Sequence, residues 1–110
     1  MNISRLDSRN LLPAKEYSRR LRARIGDNLL SVTLFGSRAR GDAGDGSDFD
    51  IIVQVKKRSP AVREIVTQVD VEMMNEHNEL FVGMLYDEEE WADESRFPLG
   101  WHVEEEGIAL

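Results

Sequence analysis

The sequence predicts an α/β fold in which a small mixed sheet is flanked by helices. Two observations lead to this fold class. Short apolar runs alternate with amphipathic stretches along the chain, and a glycine-rich loop, rather than a full helix, separates the first two runs. Strands joined by such a loop need not be parallel, so a mixed sheet is expected. With 110 residues, the chain is predicted to form a single domain over residues 1–110.

The first predicted helix covers residues 13–26 and has Pro13 in its first turn, where a proline is tolerated. Its apolar side chains recur three or four residues apart and form one stripe, while its arginines fall mostly on the other faces. The stripe consists of Ala14, Tyr17, Leu21 and Ile25. Gly26 then provides a stop signal.

Three apolar segments rich in strand-forming residues are predicted to be the strands, at residues 29–35, 48–55 and 80–86. Residues 36–47 are interpreted as a loop with one helical turn near Ser37. A helix is predicted over residues 61–75, between the second and third strands.

Two short helices are predicted in the last quarter of the chain. Asp87 can cap the first of them, which runs through the three following glutamates to Trp91. Pro98 begins the second, which ends at Gly107.

Composition excludes several classes of function. The chain has 14 basic and 21 acidic residues, a net charge of −7, so direct binding of nucleic acid is not expected. It has no cysteine, which excludes disulfides, thiolate metal sites and a cysteine nucleophile. The first ten residues have no apolar core like that of a signal peptide, and no apolar run is long enough to span a bilayer. A cytoplasmic location without membrane contact is therefore predicted.

Two carboxylates, Asp48 and Asp50, stand at the start of the second predicted strand. Side chains two residues apart on a strand point to the same face, so these carboxylates are held side by side. Such a pair repels itself in the absence of a cation, and Mg²⁺ commonly binds one or two carboxylates together with substrate phosphates. Asp48 and Asp50 are therefore predicted to be catalytic residues and ligands of Mg²⁺.

A second group of candidate residues follows the first predicted strand. At Gly36 the backbone can approach a phosphate closely, and the following N–H groups with the Ser37 hydroxyl can donate to outer phosphate oxygens. Arg38 and Arg40 could neutralise the same charge. The spacer contains further glycines, which would let the phosphate site and the metal site meet, at positions 41, 44 and 46. A nucleoside triphosphate site is therefore predicted.

The stretch GSRARGDAGDGSDFDIIV, residues 36–53, carries the pattern G-S, ten residues, D-x-D. In this pattern it resembles the DNA polymerase beta-like nucleotidyltransferase superfamily, and within it the small stand-alone group of minimal nucleotidyltransferases. The resemblance is specific over residues 29–55 and looser elsewhere. It implies a polymerase beta-like nucleotidyltransferase fold and Mg²⁺-dependent transfer of a nucleoside monophosphate from a triphosphate, with ATP as the expected substrate.

The same resemblance assigns roles to individual residues. The phosphate-binding pair becomes Gly36 and Ser37, followed by the basic residues common in this group, Arg38 and Arg40, and the metal ligands become Asp48 and Asp50.

The superfamily usually places a third carboxylate on the third strand, where it can act as a base toward the acceptor hydroxyl. Glu79, at the very start of that strand, is the nearest candidate for this catalytic role, and a solvated turn residue is an equally open interpretation of it. Asp70 and Glu72 are interpreted as exposed positions on the preceding helix.

Two functions stay open at this stage. The first is an enzyme that attaches AMP, or another nucleoside monophosphate, to a hydroxyl of a partner protein. The second is a catalytically weak nucleotide-binding antitoxin or subunit that acts by occluding its partner. Minimal nucleotidyltransferases commonly pair with a separately encoded helical HEPN-type protein, so the resemblance implies such a partner and an antitoxin role. The intact G-S and D-x-D motifs favour the enzyme.

Overall fold

The computed structural model of the chain describes residues 8–40 and 48–110. The helices in this part are α1 (Ser8–Ile25), α2 (Ser37–Arg40), α3 (Pro60–His77), α4 (Glu88–Glu94) and α5 (Pro98–Glu106). The strands are β1 (Leu29–Phe35), β2 (Phe49–Val55), β3 (Phe81–Asp87) and β4 (Ile108–Ala109), and a 3₁₀ turn, Gly26–Asn28, leads into β1. The predicted α/β class is confirmed.

The strands form one sheet in the order β3-β2-β1-β4. Strand β1 is antiparallel to both of its neighbours, whereas β2 and β3 are parallel and are connected through α3, as a parallel pair requires. The predicted mixed sheet is therefore confirmed. Strand β4 was not predicted, because two residues are too few to show a hydrophobic period.

The centre of the molecule is β2, which lies between β1 and β3 and has five fully buried apolar side chains. The inward residues of the neighbouring strands and the apolar stripe of α1 complete this core together with α3. The largest fully buried side chains of these elements include Tyr17, Leu21, Leu34, Met73 and Phe81. The predicted α1 stripe is confirmed at Ala14, Tyr17 and Leu21, all of which have no exposed surface.

Helices α1 and α3 pack against each other and are joined at their rim by ion pairs. Arg20 contacts Glu16 at 2.8 Å, Glu72 at 3.2 Å and Glu76 at 2.8 Å, and Arg24 contacts Glu72 at 2.8 Å. These pairs explain why the α1 arginines lie away from its apolar stripe. Among the helices of the described residues, none is long and apolar enough to cross a membrane.

The ends of α3 and the start of α4 are capped by side chains or by a left-handed residue. Ser59 caps α3 by accepting a hydrogen bond from the Val62 N–H, and Asn78 ends it in the left-handed conformation with φ of 53°. Asp87 and Glu90 form a reciprocal capping box at the start of α4, which confirms the predicted cap.

The interpretation of Pro13 as a first-turn residue was wrong, because α1 begins at Ser8 and Pro13 lies inside it. An interior proline has no N–H to offer the carbonyl four residues earlier. The helix persists through this position because the stripe that follows it is anchored in the core.

The interpretation of Asp70 as an exposed residue was also wrong. Asp70 is half-buried between α3, α1 and β3, where its carboxylate accepts hydrogen bonds from the Tyr17 hydroxyl at 2.5 Å and the Gly83 N–H at 3.4 Å. Burial raises the pKa of the Asp70 carboxyl group. The pKa of the Tyr17 hydroxyl is also raised, mainly by burial and, second, by the negative charge of Asp70. Asp70 thus ties the two helices to the outer strand.

Replacing Gly83 by alanine is expected to destabilise the protein. An added Cβ would lie 2.2 Å from the Tyr17 hydroxyl oxygen and 2.6 Å from Val66 Cγ1, both of which are held in the core. Overpacking of this kind lowers the free energy of unfolding by about 3 kcal/mol where, as here, the neighbouring atoms cannot move away. The measurement is the free energy of unfolding in urea.

The matched control is Gly26→Ala, at a φ of +73° with nothing within 4 Å of the added Cβ. This variant should lose only about 1 kcal/mol, through backbone strain. Equal losses in the two variants would contradict the packing role of Gly83.

Candidate functional site

Antiparallel pairing of β1 with β2 brings the two predicted motifs together. Phe35, the last residue of β1, is the register partner of Asp50, so the turn that begins at Gly36 starts beside the Asp50 carboxylate. A Cβ built on Gly36 would lie 3.0 Å from Asp50 Oδ2. Gly36 also has a φ of +79°, a conformation that glycine adopts without strain. The backbone therefore favours glycine here, and an added side chain would also require a small shift of the Asp50 carboxylate.

The turn after Gly36 is the four-residue helix α2, which confirms the predicted helical turn. The Gly36 carbonyl accepts hydrogen bonds from the N–H groups of Ala39 and Arg40, both at 3.1 Å. The first N–H groups of a helical turn have no carbonyl partner within it. Ser37, whose side chain is half-buried, thus starts the turn within one residue of the glycine that touches Asp50.

The two carboxylates of the D-x-D motif differ in their surroundings. Asp48 is exposed immediately before β2, whereas Asp50 is half-buried within it, and the intervening Phe49 is fully buried on the opposite face. Burial and, second, the negative charge of Asp48 raise the pKa of Asp50. The raised pKa shows that the negative charge of Asp50 is disfavoured in this setting.

The pair of carboxylates fits a hard divalent cation. Their mutual repulsion is the electrostatic condition that a bound cation relieves, and Mg²⁺ typically takes one or two carboxylates and fills its remaining positions with water and phosphate oxygens. Within the described ranges, no cluster of three or more acidic or histidine side chains could form a metal site made wholly by the protein. Asp48 and Asp50 could hold such a cation together with oxygen atoms from water and substrate.

The neighbouring strand offers no carboxylate next to this pair. Val82 is the register partner of Asp50 in the parallel β2–β3 ladder. The Phe49 N–H donates to the Leu80 carbonyl at 2.8 Å, which places Leu80 alongside Asp48. The positions beside the two aspartates are therefore apolar: Leu80, just before β3, and Val82 within it.

Glu79 lies just before β3 and is paired with Arg38. The Arg38 Nη2 group donates to Glu79 Oε2, and the guanidinium carbon lies 4.4 Å from the centroid of the Phe49 ring. Arg38 is buried in spite of its charge, with 9% of its surface exposed. Phe49 projects from the face of β2 opposite to the aspartates, so the Arg38–Glu79 pair belongs to that opposite side.

The other predicted basic residue, Arg40, ends α2. Its Nη1 group contacts Glu106 Oε2 at 2.9 Å, so the end of the turn is joined to the last residue of α5. The predicted glycine spacer, at positions 41, 44 and 46, lies outside the described residues.

The structure thus brings Gly36 and Asp50 into direct proximity and places Ser37 and Asp48 one and two residues away along the chain. It also joins Arg38 to Glu79, two residues predicted separately as a phosphate ligand and a base. Their predicted catalytic roles, like those of the other site residues, stay predictions. The contacts of Arg38 with Phe49 and of Arg40 with Glu106 were not predicted from the sequence. The alternation within D-x-D, which turns Phe49 inward, could have indicated the buried position of Phe49.

The chain is similar to several known proteins in sequence and in fold. The family model of the nucleotidyltransferase domain matches residues 14–100. A protein of Methanocaldococcus jannaschii, named as a candidate protein adenylyltransferase, is 37% identical over 60 residues. That match covers 48% of this chain and 41% of the relative, so it spans about two fifths of the relative's length.

Two solved structures are similar to the chain. A candidate nucleotidyltransferase from Sulfolobus solfataricus has a TM-score of 0.59 and 26% identity, covering 99% of this chain and 87% of that one. A chain of a toxin–antitoxin structure with AMP-PNP has a TM-score of 0.60 and 20% identity, covering 86% of this chain and 70% of that one. The fold implied by the sequence resemblance is confirmed.

Replacing Asp50 by asparagine is expected to raise the melting temperature of the metal-free protein at neutral pH. A carboxyl group whose pKa is raised by folding favours its protonated form, so the stability of the wild type falls as pH rises from the unfolded-state pKa to the folded-state pKa. The gain in the variant should therefore be present above this interval and shrink as pH falls through it. Thermal melts across pH would measure it.

Asp93→Asn, at an exposed position on α4, is the matched control and should show no comparable gain. The burial argument fails if both variants melt alike at every pH.

Proposed function

The chain belongs to the nucleotidyltransferase domain family, and from this premise we propose that it is a Mg²⁺-dependent transferase of nucleoside monophosphates, with ATP as donor and a protein hydroxyl as acceptor. The observation that carries this proposal is the proximity of residues 36–40, the proposed phosphate turn, to Asp50: a Cβ added at Gly36 would lie 3.0 Å from Asp50 Oδ2. The outer phosphates and a cation would thus be held within one small region.

Each residue of this region has a distinct part in the proposed reaction. The backbone N–H groups after Gly36 and the Ser37 hydroxyl bind the β- and γ-phosphates, and Arg40 adds positive charge at the end of the same turn. Asp48 and Asp50 would hold Mg²⁺, which would supply charge stabilisation to the phosphates. The acceptor oxygen bonds to the α-phosphorus, the bond from that phosphorus to the pyrophosphate oxygen breaks, and the acceptor proton leaves to a base.

The base in this proposal is the residue that the structure supports least. Glu79 is the acidic residue predicted for this role, but its carboxylate is bound by Arg38, and its strand neighbours beside the aspartates are Leu80 and Val82. This apolar pair favours a second candidate function, in which the chain binds nucleotide and metal but transfers slowly and acts by occluding its partner. The two candidates share the same nucleotide site and differ in turnover.

The proposed acceptor is a hydroxyl, most suitably of tyrosine, on a separate helical protein of the HEPN type, with the chain as antitoxin. Support comes from the minimal-nucleotidyltransferase resemblance of residues 36–53, from the name of the Methanocaldococcus jannaschii relative, and from the toxin–antitoxin origin of one fold neighbour. The acidic surfaces of α4 and α5 suit a basic partner, because complementary charge speeds association and sets orientation.

The first test is transfer of label from α-labelled ATP to the protein encoded beside this chain in its native host. Label is expected on the partner with Mg²⁺ and not after chelation, and Asp48→Asn or Asp50→Asn should lower the rate at least a hundredfold, since electrostatic stabilisation of this kind is worth on the order of 10²–10³. Mass analysis would identify the modified side chain.

Asp93→Asn is the matched carboxylate control and should transfer at the wild-type rate. Full transfer by the Asp48→Asn/Asp50→Asn double variant would rule out the metal assignment. Binding of the partner and ATP without transfer would leave the occluding antitoxin as the function.

A second test separates the phosphate turn from the rest of the site. Ser37→Ala is expected to weaken binding of ATP more than that of AMP, because the Ser37 hydroxyl should contact the outer phosphates that AMP lacks. One lost hydrogen bond to a charged group corresponds to about 1.5–3 kcal/mol, or roughly ten- to a hundredfold in affinity for ATP. Calorimetry with both nucleotides would measure it; equal losses would place Ser37 away from the outer phosphates.

A further inference from the structure

Arg38 is an unusual cation for a phosphate site because its guanidinium is buried in the protein. It is 9% exposed, donates a hydrogen bond to the carboxylate of Glu79, and lies 4.4 Å above the Phe49 ring. The Phe49 ring is itself stacked on Phe81, with centroids 4.3 Å apart and planes 1° apart. The guanidinium thus rests on a rigid aromatic platform within the core.

The position of this platform connects it to the site. Phe49 stands between Asp48 and Asp50 on β2 and points to the opposite face. Arg38 directly follows Ser37 in α2, and Gly36 is in near contact with the Asp50 carboxylate. A movement of Arg38 on the Phe49 ring would therefore change the distance between the phosphate turn and the two aspartates.

Glu79 fixes Arg38 from a third element. It lies in the turn between α3 and β3, directly before Leu80, whose carbonyl accepts the hydrogen bond from the Phe49 N–H. Arg38 is consequently held from two directions, by the ring of Phe49 and by the carboxylate of Glu79. A planar guanidinium can stack and donate in its plane at the same time, which lysine cannot do.

We propose, on the basis of the proposed function, that Arg38 and Glu79 are a positioning pair, which holds the phosphate turn against Asp48 and Asp50 from the far side of β2. In this arrangement Arg38 does not contact the phosphates and Glu79 does not take the acceptor proton. The pair acts through the geometry of the turn, so its loss lowers affinity for a triphosphate and leaves affinity for a monophosphate nearly unchanged. This assigns a role to the Arg38–Glu79 ion pair that differs from both roles predicted from the sequence.

The three possible roles predict different effects of Glu79→Gln on binding of AMP-PNP with Mg²⁺. For a positioning pair, the variant binds more weakly, on the order of tenfold, because coupled neighbours of this kind commonly contribute that much. If Arg38 were a phosphate ligand, loss of its competing partner would leave binding unchanged or tighter. If Glu79 were the base, ground-state binding would not change.

The experiment measures the affinity of the full chain for AMP-PNP with Mg²⁺, and for AMP, by calorimetry in four variants. They are Glu79→Gln, Arg38→Gln, the double variant, and the control Arg24→Gln, which removes an exposed ion pair between α1 and α3. Both single variants are expected to lose about tenfold for AMP-PNP, and the double variant no more than either, because the two residues act as one unit. AMP affinity should change less than about twofold in all variants, and the control should match the wild type.

Unchanged or tighter AMP-PNP binding by Glu79→Gln, or fully additive losses in the double variant, would overturn the positioning role. If Glu79→Gln unfolds at the assay temperature, Glu79→Asp replaces it, because this variant keeps the negative charge. Glu79→Asp is expected to retain most of the affinity for AMP-PNP. A loss of affinity as large as that of Arg38→Gln would count against the proposal. Failure of the wild-type chain to bind AMP-PNP with Mg²⁺ would instead refute the proposed function on which the pair's role rests.

Discussion

The register between β1 and β2 is the constraint on which the candidate site depends. Phe35 opposite Asp50 places the end of one strand beside the start of the next, and the chain leaves β1 through a glycine whose missing side chain makes room for a carboxylate. A shift of one residue would turn every side chain of β2 to the other face, exposing Phe49 and burying both aspartates. The hydrophobic core therefore enforces the register that brings the phosphate turn to the carboxylates.

This coupling explains why a charged site can be held in so small a protein. Asp50 lies on one face of β2, while Phe49 on the opposite face is fully buried and forms a stacked aromatic column with Phe81 and Tyr17. Tyr17 in turn donates to Asp70, which also accepts from Gly83 on the outer strand. Burial and, second, the charge of Asp48 raise the pKa of Asp50, and packing on the opposite side of the same strand offsets the cost of its charge. Stability and site geometry thus depend on the same few residues.

Most of the local structure could be predicted from the sequence, because it depends on neighbours along the chain. The alternation of side chains along a strand placed Asp48 and Asp50 on one face. The capping residue Asp87 marked the start of α4. The contacts between distant segments could not be predicted, since no local pattern encodes them. Arg38 pairs with Glu79, which is 41 residues away in the sequence, and Asp70 accepts a hydrogen bond from Tyr17, which is 53 residues away.

The apolar neighbours of the aspartates bear on what the proposed acceptor must be. General base catalysis typically contributes about 10²–10⁴ in rate, whereas orientation and electrostatic stabilisation contribute more. A site that binds the triphosphate and metal, with the apolar Leu80 and Val82 beside them, would keep the rate contributions of orientation and electrostatic stabilisation. It would lack the smaller contribution of general base catalysis. The acceptor that loses least from this is the most acidic hydroxyl among side chains, that of tyrosine, with a pKa near 10. The apolar neighbours of the aspartates therefore fit the proposed transfer to a tyrosine hydroxyl better than transfer to a less acidic acceptor.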